Sequence, residues 1–292
     1  MDLRQIVNGL FLGSMYAVFA LGYTLVFGVL DILNLAHAAV FMVSSFVALE
    51  LVERLHLDVF LALPITMTVA GVIGLALERI AFRPLRARAD SNIAGLISSL
   101  AMATILGALA LEIWGPNTAV YPEAALQHAN EPIFGTLSRL QLLVIGVAVA
   151  LFVALTVLVK RTRLGRELRA VAESPRAARV VGVNVDRAIA ASFFISSALG
   201  GAAGVLYGVA YRVISPEMGE SVLLKGLAVI IVGGMGSMPG AVIAGIALGL
   251  VETFVVAHLG GSYRDAVSFA GLFLILVLRP TGLFGAASAR EA

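Results

Sequence analysis

Eight stretches of this chain are apolar for about twenty residues at a time, and that length decides what it can fold into. An α-helix rises 1.5 Å per residue, so about twenty residues cross the ~30 Å hydrocarbon core of a bilayer. On that rule the sequence predicts spans at 5–29, 36–55, 58–80, 93–114, 138–159, 188–210, 239–258 and 264–280. A ninth apolar stretch, 223–232, is too short to cross and runs into GGMGSMPG at 233–240. Glycine and proline end a helix there, and non-helical backbone is tolerated at membrane depth where protein or a cavity covers it. The expectation is an all-α polytopic membrane protein with about eight transmembrane helices and a re-entrant half-helix, one domain over 1–292.

Composition agrees. Hydrophobic residues make up 60% of the chain and charged residues 13%, against about 45–50% and about 25% in a soluble domain. The mean hydropathy is +1.00. The net charge of +2 comes from basic residues in loops between spans. That pattern points to membrane lipid as the surroundings and not to nucleic acid. Cysteine is absent, which excludes a disulfide framework, a thiolate metal site and a cysteine nucleophile. The opening MDLRQIVNGLFLG has no basic n-region and no A-x-A pattern after a short apolar core. It reads as the lead-in to an uncleaved first span.

Lysine and arginine in short loops set the orientation. Arg79, Arg83, Arg86 and Arg88 crowd one loop; Lys160, Arg161, Arg163, Arg166, Arg169, Arg176, Arg179 and Arg187 crowd another. These four and eight are twelve of the twenty basic residues, so both loops are expected on the cytoplasmic side. The loop at 115–137 has neither Lys nor Arg, is flanked by Trp114 and contains Tyr121, and is expected outside. Counting back from Arg79 places the N-terminus outside as well. Arg279 reads as a cytoplasmic anchor.

Polar residues inside apolar runs are the candidates for function. DILNLAHAAVFM at 31–42 carries Asp31, Asn34 and His37 within seven positions. Three readings fit: a buried cluster satisfied by neighbouring helices, a structural break between two helices, or the lining of a solute path. ALELVE (48–53) and ALGLVE (247–252) match at five of six positions, which hints at an internal repeat. The same offset lays NLAHAAV (34–40) over GGMGSMP (233–239). In transporters built from repeats, such breaks lie near the midplane and hold solute. Asn34, His37, Gly233, Gly234, Gly236 and Ser237 are therefore the candidate lining of a translocation path. Lys225 is expected to snorkel to the outer interface, and Glu252 to face protein or a cavity. Gly200, Gly204 and Gly208 share one helix face, as do Gly9 and Gly13. Such faces let helix backbones approach closely in lipid, so helix packing is the expected role.

The longest hydrophilic stretch within the membrane region is 160–187. It sets topology, but it also has form. Ser174 reads as an N-cap, with Glu173 before it and Pro175 at the first helical position. Ala177, Ala178 and Val181 then share a face, and Gly182 ends the helix. A short amphipathic helix of this kind suits docking into a groove on a soluble partner.

These residues resemble a known family. GRELRAVAESPRAARVVGVNVDR (165–187) looks like the coupling loop of branched-chain-amino-acid-type ABC permeases, specifically the LivH-like subunit. GLAVIIVGGMGSMPGAVIAGIALGLVE (226–252) resembles a second block of that family, NGLFLGSMYAVFALGYTLVFGVLDILNLAH (8–37) its opening block, and LRPTGLFG (278–285) its C-terminal block. The resemblance implies a multi-pass subunit of the bacterial cytoplasmic (inner) membrane. It implies a second, LivM-like permease, two cytoplasmic ATPase subunits that hold ATP-Mg, and a periplasmic solute-binding protein. The implied cargo is a branched-chain or other amino acid. Glu173, Ser174, Pro175, Arg176, Ala177, Ala178 and Gly182 match the coupling segment that fits the ATPases. In one place the chain departs from the pattern: Ala38 and Ala39 follow His37 where the family has Gly-Glu.

Other classes are less well matched. An intramembrane enzyme needs a catalytic set, and none of HExxH, GxSxG or an i, i+4 histidine pair occurs; His56, His128 and His258 fall near span ends or in the outer loop. No G-x-x-x-x-G-K-[ST] occurs either, so ATP would be hydrolysed by partners, with no cofactor bound by this chain. An ATP-independent channel or secondary carrier, for a small solute such as urea, shares the composition but has no use for a capped docking helix.

Overall fold

The computed structural model describes residues 2–86, 91–122, 132–134, 137–279 and 281–285. Residues 123–131 and 135–136 of the expected outer loop, with His128, and Arg88 in the first basic loop lie outside the described residues. Eleven α-helices follow one another among the described residues: α1 (Leu3–Leu30), α2 (Ala36–Arg54), α3 (Val59–Leu77), α4 (Ser91–Trp114), α5 (Arg139–Arg161), α6 (Arg163–Glu173), α7 (Pro175–Val180), α8 (Val185–Tyr211), α9 (Met218–Gly233), α10 (Met238–His258) and α11 (Arg264–Leu278). A π-helical turn at Glu78–Phe82 and a 3-10 turn at Arg83–Leu85 extend α3. Eight helical segments are long and apolar enough to cross a membrane. The ninth, α9, has 16 residues, about 24 Å at 1.5 Å per residue, and begins five positions before the expected start at 223. The chain is an all-α polytopic membrane protein.

Two antiparallel strand pairs complete the described structure. β1 (Ala119–Val120) pairs with β4 (Val213–Ile214), and β2 (Pro132–Phe134) pairs with β3 (Leu137–Ser138). The first pair ties the loop after α4 to the end of α8. Burial pushes the Tyr121 phenol pKa up, and its hydroxyl donates to the Ser45 carbonyl at 2.9 Å. That bond anchors the same end of the bundle to α2.

The helices pack where side chains are absent. α1 and α10 run antiparallel: a Cβ on Gly9 would come within 2.8 Å of the Leu250 backbone, and one on Gly13 within 2.6 Å of that of Ile246. α2 and α8 run parallel, with Gly200 against His37, Gly204 against Phe41 and Gly208 against Ser45 and Tyr121. In lipid there is no hydrophobic exclusion between helices, so this closeness of backbones is what holds them. Gly9, Gly13, Gly200, Gly204 and Gly208 all lie at these close approaches. α1, α2 and α8 form the buried centre, while α3, α4, α5 and α11 present broad apolar surface outward, as lipid-exposed helices do.

The two arginine-rich connections meet at one end of the bundle. Arg86 pairs with Asp186 at 3.0 Å and also with Glu78, and Arg83 reaches Asp186 at 3.4 Å. Burial pushes the Arg86 guanidinium pKa down, and Glu78 and Asp186 oppose that push. The start of α1 lies at the opposite end, beside the second half of α10. The N-terminus and the arginine-rich connections thus lie at opposite ends of the bundle.

Candidate functional site

The segment 173–182, the candidate for coupling, folds as its caps require. The Ser174 Oγ accepts the Ala177 N–H at 3.3 Å, with Pro175 next in line. α7 ends in a Schellman arrangement: the Val183 N–H donates to the Ala178 carbonyl at 3.0 Å and the Gly182 N–H to the Arg179 carbonyl at 3.1 Å. That closure needs φ > 0 at one residue, and Gly182 supplies it at +85° without a Cβ clash. Asn184 then caps α8 by accepting the Arg187 N–H at 3.0 Å. The exposed face differs from the expected one. Ala178 is buried against the bundle, because one face of so short a helix must pack on its own domain. Arg176, Ala177, Arg179, Val180 and Val181 face outward, Val180 at 87% exposure and Val181 at 75%. Glu173 is also exposed.

A cavity of about 390 Å³ lies behind the coupling helices, lined by Gly28, Asp31, Val171, Pro175, Gly236 and Ser237 among others. The expectation that the 233–240 break lies near mid-depth is corrected by this arrangement. α9 is long enough to bring Gly233 to the arginine-rich end, so the break shares a wall with the coupling segment. Gly234 (φ +96°) and Gly236 (φ +84°) make the turn, and Ser237 caps α10 by accepting the Gly240 N–H at 3.2 Å.

His37, at the far side of the first break, does not line that cavity. His37 is 1% exposed. Its ring sits between α1 and α8, where a Cβ on Gly22 or Gly200 would come within 2.9 or 2.7 Å of the imidazole. Nε2 lies 3.2 Å from the Phe19 carbonyl, which requires the proton on that nitrogen. Phe19 and Tyr23 pack on the ring at centroid distances of 4.8 and 5.5 Å. Asn34 is 2% exposed; its carbonyl accepts the His37 N–H at 3.1 Å, and its amide has no hydrogen bond among the described residues. The structure thus does not bring His37 and Ser237 into one site. Nor does the repeat offset preserve environment: Glu53 is exposed and Glu252, its counterpart, is buried. The geometry of His37 matches a satisfied core histidine. His37→Ala would leave a void that two facing glycines cannot fill, at a cost of roughly 2–4 kcal/mol. A lower thermal unfolding midpoint of the detergent-purified protein is the expected result.

A constellation that sequence reasoning missed lies at the end away from the arginine-rich connections. Glu252 is 0% exposed. Its Oε2 accepts from the Tyr16 hydroxyl at 2.8 Å and from Arg264 Nε at 2.6 Å. Its Oε1 accepts from Lys225 Nζ at 2.9 Å and from the Ser268 hydroxyl at 3.3 Å. Lys225 also pairs with Asp265 at 2.9 Å, and Arg264 donates to the Tyr16 and Tyr211 hydroxyls at 2.9 and 3.2 Å. The expected snorkelling of Lys225 is corrected: it is 8% exposed, because Glu252 lies within its reach and a buried partner outweighs a path to water. The available sign was the adjacent Arg264 and Asp265 at the very start of the last span, where a lone charge pair opens an apolar run.

The comparisons with known proteins decide the family. A sequence profile described as "Branched-chain amino acid transport system / permease component" matches residues 5–278. The chain belongs to this permease family. It is 35% identical to the high-affinity branched-chain amino acid transport system permease protein BraD of Pseudomonas aeruginosa, over 97% of this chain and 95% of that protein. It is 34% identical to LivH of Escherichia coli K12 over the same shares. It is 26% identical to LivM of that organism, over 93% of this chain and 68% of that one. Ala38 and Ala39 are both buried in this permease, and the Ala38 backbone carbonyl lies 3.0 Å from where a Cβ on Gly219 would stand.

Proposed function

We propose that this permease is the membrane-spanning subunit of an ATP-driven importer of branched-chain or similar aliphatic amino acids in a bacterial cytoplasmic membrane. Its partners are a second, LivM-like permease, two cytoplasmic ATPase subunits that hold ATP-Mg, and a periplasmic binding protein that delivers the solute. The observation that carries the reading is the coupling helix. Val180 and Val181 stand exposed on a capped, rigid turn between Arg176, Arg179 and Arg187. Two valines left in water on a cytoplasmic surface suit an apolar slot with an acidic rim on a soluble partner. The helix is also placed to transmit force. Asp186, at the start of α8, is tied through Arg86 to Glu78 at the π-turn of α3, and Pro175 borders the cavity that Gly236 and Asp31 also line. Closure of the ATPases pushes on 173–182 and rocks α8 and α10 between inward- and outward-open forms. Asn34, His37 and the 233–237 turn act as the joints of that motion.

The test is Val180→Asp with Val181→Asp. The pair puts two carboxylates where the slot is apolar and leaves the permease fold intact, since both side chains are exposed. Tagged double variant is expected to lose the ATPase subunits on purification, and ATP-dependent uptake is expected to fall by about a hundredfold, roughly 2.7 kcal/mol at about 1.4 kcal/mol per factor of ten. Undiminished uptake without ATPases would favour a channel or carrier.

A further inference from the structure

We propose that the Lys225–Glu252–Arg264–Asp265 cluster and the groove beside it form a recognition site for a zwitterionic amino acid with a small aliphatic side chain. The proposal rests on the reading above that the permease carries such solutes. Charges inside a membrane protein face the bundle interior or a water-filled path, and they mark solute sites by default. Here four formal charges sum to zero and come from three helices: Lys225 on α9, Glu252 on α10, and Arg264 and Asp265 on α11. Tyr16 of α1 and Tyr211 of α8 complete the ring. The cluster is graded from dry to wet. The side chain of Glu252 is 0% exposed, Lys225 10%, Arg264 26% and Asp265 65%. Its open edge lies at the end away from the coupling helices, where the solute arrives.

A solute ammonium matches Glu252 and Asp265, and a solute carboxylate matches Arg264 and Lys225. A zwitterion can exchange into existing pairs without leaving any charge alone at an intermediate stage. That matters because an unpaired charge in a low-dielectric setting is costly, whereas a swap of partners is not.

The second half of the site is apolar. Ser268 donates to Glu252 and also lines a cavity of about 100 Å³ between α9, α10 and α11. Val229, Leu248, Val251, Val267 and Leu272 form its walls. A charged head and an aliphatic pocket therefore meet at one hydroxyl, which is the chemistry of an aliphatic amino acid. An apolar pocket with a few convergent polar groups is how small-molecule sites are built.

The test uses the complete transporter in proteoliposomes, with its binding protein saturated by radiolabelled leucine or valine and ATP inside. Lys225→Met with Asp265→Asn removes one charge of each sign and keeps the buried Glu252–Arg264 pair. If the pair only holds the helices together, this balanced exchange is tolerated and uptake returns to wild type, which overturns the proposal. If it recognises solute, the transporter assembles, retains basal ATP hydrolysis and loses uptake at least about fiftyfold. Gly271→Leu tests the pocket: Gly271 lines the groove, and a Cβ there meets nothing within 4 Å. The added side chain fills the space that leucine needs more than valine does. A single methylene is worth about 10–200-fold in a shaped pocket, and the leucine-to-valine uptake ratio is expected to fall at least about fivefold. An unchanged ratio, as for a pocket that holds only a lipid chain, overturns the proposal. Failure of the functional reading looks different: the wild-type transporter itself would then show no ATP-dependent uptake of either amino acid, and the proposal falls with it.

Discussion

Replacing Glu252 with alanine is expected to remove most folded permease from the membrane fraction. The carboxylate is fully buried and serves Lys225, Arg264, Tyr16 and Ser268 at once. Without it, Lys225 keeps the exposed Asp265 and the Tyr16 hydroxyl, and Arg264 keeps the Tyr16 and Tyr211 hydroxyls. Breaking a buried ion pair from one side costs about 3–5 kcal/mol, because the remaining charge is left without compensation. Total stability is about 5–15 kcal/mol for a typical protein, so a loss of that size is visible as loss of protein. The amount of monodisperse permease recovered after solubilisation measures it. Yield equal to wild type for Glu252→Ala would show that the cluster contributes little to the fold.

Gly204→Leu is expected to prevent assembly of the bundle. A Cβ at 204 would overlap the Phe41 carbonyl and lie 3.4 Å from the Ser45 amide. These are backbone atoms of α2, which no rotamer change can move aside. α2 and α8 would have to separate along the whole contact from His37 to Ser45. The Tyr121–Ser45 bond and the seat of His37 would open with it. Overpacking a core costs about 1–3 kcal/mol and more where backbone must shift, and here one substitution disturbs three glycine contacts. Gly107→Leu is the matched control, since a Cβ on Gly107 meets nothing within 4 Å. Size-exclusion profiles of the two solubilised variants should diverge, with Gly204→Leu aggregated and Gly107→Leu eluting like wild type.

The spans were legible because bilayer thickness imposes a length on each helix, and α2, α4 and α10 begin or end within two residues of where apolar runs dictate. The short helix α7 was legible because its caps are local. Ser174, Pro175 and Gly182 act on backbone groups three or fewer residues away. What faces out on that helix was not legible: Ala177, Ala178 and Val181 share a helical face by spacing alone, but packing against α6 and α8 turned Ala178 inward and left Val180 in the open.

The polar residues show the limit more sharply. Asn34, His37 and Lys225 stood out as anomalies in apolar runs, yet their roles depended on partners far away in the chain. The seat of His37 is made by Gly22 and Gly200, and that of Lys225 by Glu252 and Asp265. By itself the sequence determined that this chain crosses a membrane, which eight segments are long and apolar enough to do so, where the capped helix α7 lies, and the family to which it belongs. Each of these follows from short-range rules: helix rise against bilayer thickness, loop charge, capping, and motif order. The tertiary structure alone decided that the glycine break at 233–237 lies beside α6 and α7, that His37 is wedged between two helices, and that Ser268 joins the Glu252 cluster to an aliphatic pocket. Those depend on which helices touch and in what register, and in lipid that is set by close packing of small residues between helices, which no single stretch of sequence contains.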